Sequence, residues 1–228
     1  MKFRDLIGLA VAGLFISGFA HSASAQVYFT VTVDTSAISG VSGYGEFSLS
    51  DGTVVDGTGP STANNVVLSN FAFGGGSVGA VLPPNIGNAS GSMGSSITLA
   101  DGDGGGVADL AQAYTAGSVF SFDVQMSEVP QAGTSDEFLF RLLDNSLNYI
   151  GTADPSGNNA LIKVDISTSN IGLTDINAYA ASGANIPRPL VTIRTSAPAG
   201  TPEPGTVALF SAAGAAGLVA MRRRRRLS

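Results

Sequence analysis

Over residues 27–34 the side chains alternate. Val27, Phe29, Val31 and Val33 are apolar, and Tyr28, Thr30, Thr32 and Asp34 stand between them. Successive residues of an extended chain point to opposite faces, so this stretch buries one side and wets the other only as a β-strand. The pattern returns at Phe120, Phe122, Val124 and Met126, with Ser121, Asp123 and Gln125 between them. Stretches of similar character lie at 45–49, 65–73, 96–100, 137–143, 147–152, 160–167 and 190–195. Gly, Asn and Asp clusters separate them, the residues that tight turns need, and about nine strands of this kind predict an all-β domain of β-sandwich or jelly-roll form. One stretch departs from the pattern: Val107, Leu110, Ala111 and Tyr114 fall at helical spacing and predict a short helix.

The formal net charge of −6 conceals a segregation. Residues 26–200 carry 15 Asp and Glu against Arg141, Lys163, Arg188 and Arg194, a formal −11, and such a domain is repelled by nucleic acid. There is no cysteine, so the domain holds neither disulfides nor thiolate metal sites. The one histidine is His21, which lies before the domain. Imidazole-dependent catalysis and most zinc, copper and haem chemistry are thereby excluded from residues 26–195.

The two ends have a different composition. Lys2 and Arg4 precede an apolar run over residues 6–20, and Ala23-Ser24-Ala25 precedes Gln26. A basic start, an apolar run and a small-residue A-x-A site make a three-part secretory signal, so residues 1–25 are expected to form a signal helix, engage the Sec translocon and be cut by signal peptidase between Ala25 and Gln26. At the other end Pro202-Glu203-Pro204 is followed by sixteen uncharged, mostly small apolar residues, 206–221, and then by Arg222, Arg223, Arg224, Arg225 and Arg226. Sixteen helical residues cover roughly 24 Å, a little short of the roughly 30 Å hydrocarbon core. A transmembrane helix there holds its arginines at the membrane surface, and the positive-inside rule puts them in the cytoplasm. The expected organisation is a signal peptide (1–25), a β-rich exported domain (26–195), a linker ending in the Pro-Glu-Pro motif (196–205), a transmembrane helix (206–221) and a cytoplasmic Arg-rich tail (222–228).

Pro202-Glu203-Pro204, the apolar span and the five arginines, in that order, resemble the sorting tail of the PEP-CTERM proteins. The residue before the motif is Thr201, where Val is usual in the family. The resemblance implies recognition by an exosortase, a membrane-embedded cysteine transpeptidase or protease of Gram-negative bacteria that make exopolysaccharide. It also implies transient anchoring in the inner membrane, followed by delivery to the cell surface or beyond. Residues 28–44, 118–124 and Asp154-Pro155-Ser156-Gly157 look like landmarks of a subgroup of that family with a β-rich exported domain. This looser likeness implies a fold and no reaction.

Several motifs inside the domain have a bland and a sharp reading. Gly74-x-Gly76-x-x-Gly79 matches the dinucleotide fingerprint, which works only where the glycines open a helix; Pro83 and Pro84 follow too closely, so a glycine-rich loop is expected. Gly75-Gly76-Ser77-Val78-Gly79 matches the hydrolase nucleophile elbow, but its serine has no histidine and would need an unusual base such as Lys163. Asp101, Asp103 and Asp109 offer hard oxygen ligands at the spacing that opens a calcium loop, which makes calcium the one cofactor with candidate ligands here. The twelfth position is Gln112 where a bidentate Glu is expected, and Asp-Gly pairs also make hairpin turns, the favoured reading. Asp136 with Glu137, or Asp51 with Asp56, could pair as glycosidase acids or be solvated turn acids. Asn88-Ala89-Ser90 is a chance sequon. The expectation is a non-enzymatic surface or matrix protein, with exopolysaccharide as a candidate partner of the domain.

Overall fold

A computed structural model describes residues 25–50, 52, 64–100, 106–128, 136–166 and 175–194. The chain divides into two units, and nearly all of these residues belong to the first, Met1–Ile193. The fold is all-β. Its strands are β1 (Ala25–Asp34), β2 (Ser42–Ser50), β3 (Asn65–Ala72), β4 (Ser77–Val81), β5 (Asn88–Gly91), β6 (Ile97–Ala100), β7 (Val107–Thr115), β8 (Val119–Glu128), β9 (Asp136–Leu143), β10 (Ile162–Ile166), β11 (Ile176–Ala178) and β12 (Leu190–Arg194). Helix among the described residues is limited to two 3-10 turns, Ser36–Ile38 and Ser182–Ala184.

The strands form two six-stranded antiparallel sheets, sheet A in the order β12-β1-β8-β3-β6-β5 and sheet B in the order β11-β10-β9-β2-β7-β4. Pairing is nested: β1 lies against β8, β2 against β7 and β3 against β6. The chain therefore crosses between sheets at each step from β1 to β5 and from β6 to β8, while β5 and β6 form a hairpin within sheet A, and its first eight strands fold back on themselves. Afterwards β9, β10 and β11 widen sheet B beyond β2, and β12 widens sheet A beyond β1.

The alternation that predicts the strands also makes the core. Phe29, Val31 and Val33 of β1 and Phe120, Phe122, Val124 and Met126 of β8 are buried from sheet A, while Phe47 and Leu49 of β2 and Phe138, Phe140 and Leu142 of β9 are buried from sheet B. Phenylalanine rings bridge the two layers. Phe47 meets Phe122 edge-on at 5.4 Å between centroids and Phe71 at 5.8 Å, and stacks on Phe140 at 5.1 Å.

Two expectations are corrected. Residues 107–114 are not helical but form the interior of sheet B as β7, paired with β2 on one side and β4 on the other. Along β7 it is Ala108, Leu110, Gln112 and Tyr114 that are buried, at a period of two. The alanines at 111 and 113 blur that period, because a small apolar residue suits either face, and the pairing decides. Residues 147–152 are a loop rather than a strand. Leu147 has a left-handed φ of 65°, and the Asp144 carboxylate accepts hydrogen bonds from the backbone N–H groups of Ser146 (2.8 Å) and Asn148 (2.9 Å), which closes a turn. The expected list omits β4, β5 and β11. β4 is an exposed edge strand without an apolar face, β5 is Asn-Ala-Ser-Gly, and β11 has three residues.

The glycine-rich motif has a structural task. At the corner where β3 passes to β4 and β7 passes to β8, two turns pack backbone against backbone. A Cβ on Gly76 would come within 2.1 Å of the Thr115 carbonyl oxygen, and one on Gly117 within 2.0 Å of the Phe73 oxygen. Ser118 N–H donates to the Gly74 carbonyl at 3.0 Å, and Gly76 N–H to that of Phe73 at 2.9 Å. Gly76→Ala and Gly117→Ala are each expected to cost about 1–3 kcal/mol through overpacking. Gly106→Ala, where an added Cβ has nothing within 4 Å, should stay within about 0.5 kcal/mol of the parent when all three variants are unfolded by urea.

Candidate functional site

The outer face of sheet B carries a charged cluster built by register. Glu46 on β2 lies opposite Arg141 on β9, and Ser48 on β2 lies opposite Asp109 on β7, so all four side chains point away from the core on neighbouring strands. The Arg141 guanidinium donates to Glu46 Oε1 at 2.7 Å and lies 3.6 Å from Asp109 Oδ2. Tyr149, in the loop after β9, places its ring 4.9 Å above the guanidinium, and its hydroxyl donates to Glu46 Oε1 at 3.4 Å. These groups are sheltered for an outer face: the side chains of Glu46, Arg141 and Asp109 are 7%, 14% and 16% exposed.

Two carboxylates share one guanidinium, and the third partner of the set is an uncharged ring. Burial first, then the hydrogen bond and charge of Glu46, push the Asp109 carboxyl up to about 7, against the smaller opposing pull of Arg141. The Asp109 carboxyl therefore keeps its proton up to near neutrality. The arrangement is a braced acid–base cluster facing outward under a half-open aromatic lid.

A second group lies across β9 and β10 on the same face. Lys163 pairs with Glu137 and lies 3.6 Å from Asp165, and Asn158 Nδ2 donates to Glu137 at 3.2 Å. On the outer face of sheet A, Asp123 accepts from Thr30 Oγ1 at 2.6 Å and from Asn70 Nδ2 at 2.8 Å.

Of the residues singled out from sequence, Ala25 and Gln26 open β1 and pair with Glu128 and Ser127. Ala23, Asp101, Asp103, Pro202, Glu203, Pro204 and Arg222 to Arg226 lie outside the described residues, as do the linker and the apolar span. Asp109, the third candidate calcium ligand, turns its carboxylate to Arg141. Among the described residues no three His, Cys, Asp or Glu side chains converge as a metal site, and no helix is long and apolar enough to cross a membrane. Ser77 on β4 and Lys163 on β10 stand four strands apart in sheet B, about 19 Å, so they do not form a nucleophile and base. Asp136 and Glu137 are consecutive in β9 and point to opposite faces. Asp136 is buried and accepts from Gly52 N–H and Asn64 Nδ2, while Glu137 faces Lys163. Gly74 and Gly75 lie in a turn, as the loop reading of the glycines expects, whereas Gly79 lies inside β4.

Sequence reasoning passed over Glu46, Arg141 and Tyr149. Each stands at an outward position of a strand or in a loop, where a polar residue is ordinary. Only the pairing of β2 with β7 and β9 makes them neighbours. No family model, no curated protein and no solved structure matches the chain.

Proposed function

We propose that the protein is exported, held briefly in the inner membrane by residues 206–221, and sorted by an exosortase to the cell surface or extracellular matrix, where it has a structural or adhesive, non-enzymatic role. The observation that carries this reading is the order of signals at the two ends: a secretory start, then Pro202-Glu203-Pro204, an apolar span and five arginines. The nested pairing of β1 with β8, β2 with β7 and β3 with β6 supports the finer reading of the domain as a jelly-roll sandwich. The lack of His and Cys in residues 26–195 favours binding or structure over catalysis.

The test compares the mass and location of the protein in cells with and without exosortase. A chain that begins at Gln26 and loses its tail only when exosortase is present is the expected result. If deletion of residues 202–228 changed neither surface delivery nor mature mass, the sorting reading would be wrong. A second reading, an extracellular carbohydrate-binding module assisted by calcium, is favoured by the jelly-roll architecture, which lectins also use, and by a row of tyrosines on sheet B.

A further inference from the structure

Four residues lie in one row across the outer face of sheet B. Tyr149 bridges to Leu143 of β9, Leu143 pairs with Tyr44 of β2, and Tyr44 pairs with Ala113 of β7. Paired residues of antiparallel strands project to the same side, so two tyrosine rings flank Leu143 at a separation of about 10 Å, two strand spacings. Tyr149 is 45% exposed and Tyr44 half-buried, whereas Leu143 between them is buried. On one side of the row lie Arg141 and Glu46, and on the other the hydroxyls of Ser42 and Thr115, 3.2 Å apart and exposed.

We infer that this row is a docking surface for a neutral polysaccharide, with the rings of Tyr149 and Tyr44 stacking on two sugar units of one extended chain. A sugar ring presents C–H groups on its faces and hydroxyls around its rim. The row presents aromatic faces in the middle and hydrogen-bonding groups on both sides. Tyr149 is fixed before any ligand arrives. Arg141 covers one face of its ring, and its hydroxyl is held by Glu46. The loop carrying it is closed by the Asp144 carboxylate, which also accepts from Asn148 Nδ2 at 3.1 Å. An aromatic that is already immobile loses little entropy on binding, which raises affinity without added contacts. Next to it Leu147 is kept exposed in a left-handed backbone conformation that a bulky apolar side chain rarely adopts, a conformation that clusters at binding sites.

Charge selects the class of polymer. The domain carries a formal −11 over residues 26–200, and among the described residues the cation beside the row, Arg141, is already shared by Glu46 and Asp109. An acidic polysaccharide meets repulsion with no available counter-charge, whereas a neutral one meets none. The inference rests on the carbohydrate-binding reading and adds the place and the class.

The test is affinity electrophoresis of the full chain in detergent through native gels containing hydroxyethyl-cellulose, with alginate gels as the acidic comparison. Retardation by the neutral polymer alone is expected, weakened about tenfold or more in Tyr44→Ala/Tyr149→Ala, which removes both stacking contacts. Tyr44→Phe/Tyr149→Phe keeps the rings and should keep most of the retardation. Tyr28→Ala, on the outer face of sheet A, should keep all of it. If the parent chain is not retarded by either polymer, the carbohydrate reading itself fails. If it is retarded but the double alanine variant is retarded equally, or if Tyr28→Ala abolishes the effect, binding lies elsewhere and only this location fails. Retardation by alginate overturns the charge argument. Sedimentation showing a dimer that the double alanine variant abolishes would assign the row to a second copy of the chain instead.

Discussion

Replacing Phe47 by alanine is expected to cost about 3–5 kcal/mol, a large part of the roughly 5–15 kcal/mol that holds a domain of this kind together. Phe47 is fully buried at the centre of β2 and touches rings from both layers: Phe140 in its own sheet, and Phe71 and Phe122 across the interface. Its removal forfeits the transfer of a large ring from water and leaves a cavity between two sheets that are each stiffened by pairing on both sides of the gap. The edge-on and stacked ring contacts add about 0.5–1.5 kcal/mol each in favourable cases. Phe47→Leu should lose less, because it keeps most of the apolar volume. Urea unfolding followed by circular dichroism measures both. A Phe47→Ala chain within 1 kcal/mol of the parent, by the same large-to-small comparison, would show that the two layers do not share one core.

The second large effect is expected at Arg141. Arg141→Met keeps the stem and removes the charge, leaving Glu46 and Asp109 sheltered side by side, and breaking a buried pair in this way costs about 3–5 kcal/mol near neutral pH. The loss should shrink as the pH falls below about 7, where the Asp109 carboxyl takes a proton and no longer repels its neighbour. In the parent protein the sign of the pH dependence follows from Asp109. Its carboxyl titrates at about 7 in the folded chain against 3.8 as the reference, so the folded state holds a proton that the unfolded chain releases in that interval. That stabilisation is fully present below about pH 4 and is lost as the pH rises through about 7. Asp34, Asp144 and Asp154 act in the opposite sense. Hydrogen bonds from Ser36 hold the Asp34 carboxyl low, and those from Asn148 hold Asp144 low. For Asp154, burial raises the carboxyl, but the hydrogen bonds from Ser156 and Ala160 and the charge of Lys163 together outweigh it and hold it low. Their contribution is lost as the pH falls below the usual carboxylate range. Urea midpoints should therefore decline from pH 4 to pH 7 in the parent and flatten in Asp109→Asn. A parent profile that is flat over that interval would contradict the raised Asp109 carboxyl.

Legibility in the sequence followed the strength of the alternation. β1 and β8 have four inward apolar residues each and were readable to within a residue or two, because nothing but an extended chain between water and a core uses such a pattern. β7 was misread since two of its outward positions are alanine, and β4 and β5 were invisible because edge strands of small residues are held by their partners' hydrogen bonds rather than by a face of their own. The charged cluster was illegible for a different reason. Glu46, Asp109 and Arg141 are far apart in sequence, and each is unremarkable alone; their meeting is a property of register.

By itself the sequence determined the all-β class, the inward residues of the longest strands, the acidic and imidazole-free character of the domain, and the order of basic, apolar and proline-bearing segments at the two ends. Those follow from local chemistry: which side a residue faces, which charge it carries, which residues precede a proline. The tertiary structure alone decided which strands are neighbours. Pairing brings residues separated by dozens of positions within hydrogen-bonding distance, and a shift of one residue would turn every side chain of a strand to the other face. The nested order of the sheets, the glycine corner, the meeting of Glu46 and Asp109 at Arg141, and the Tyr149–Leu143–Tyr44 row all exist because one register won.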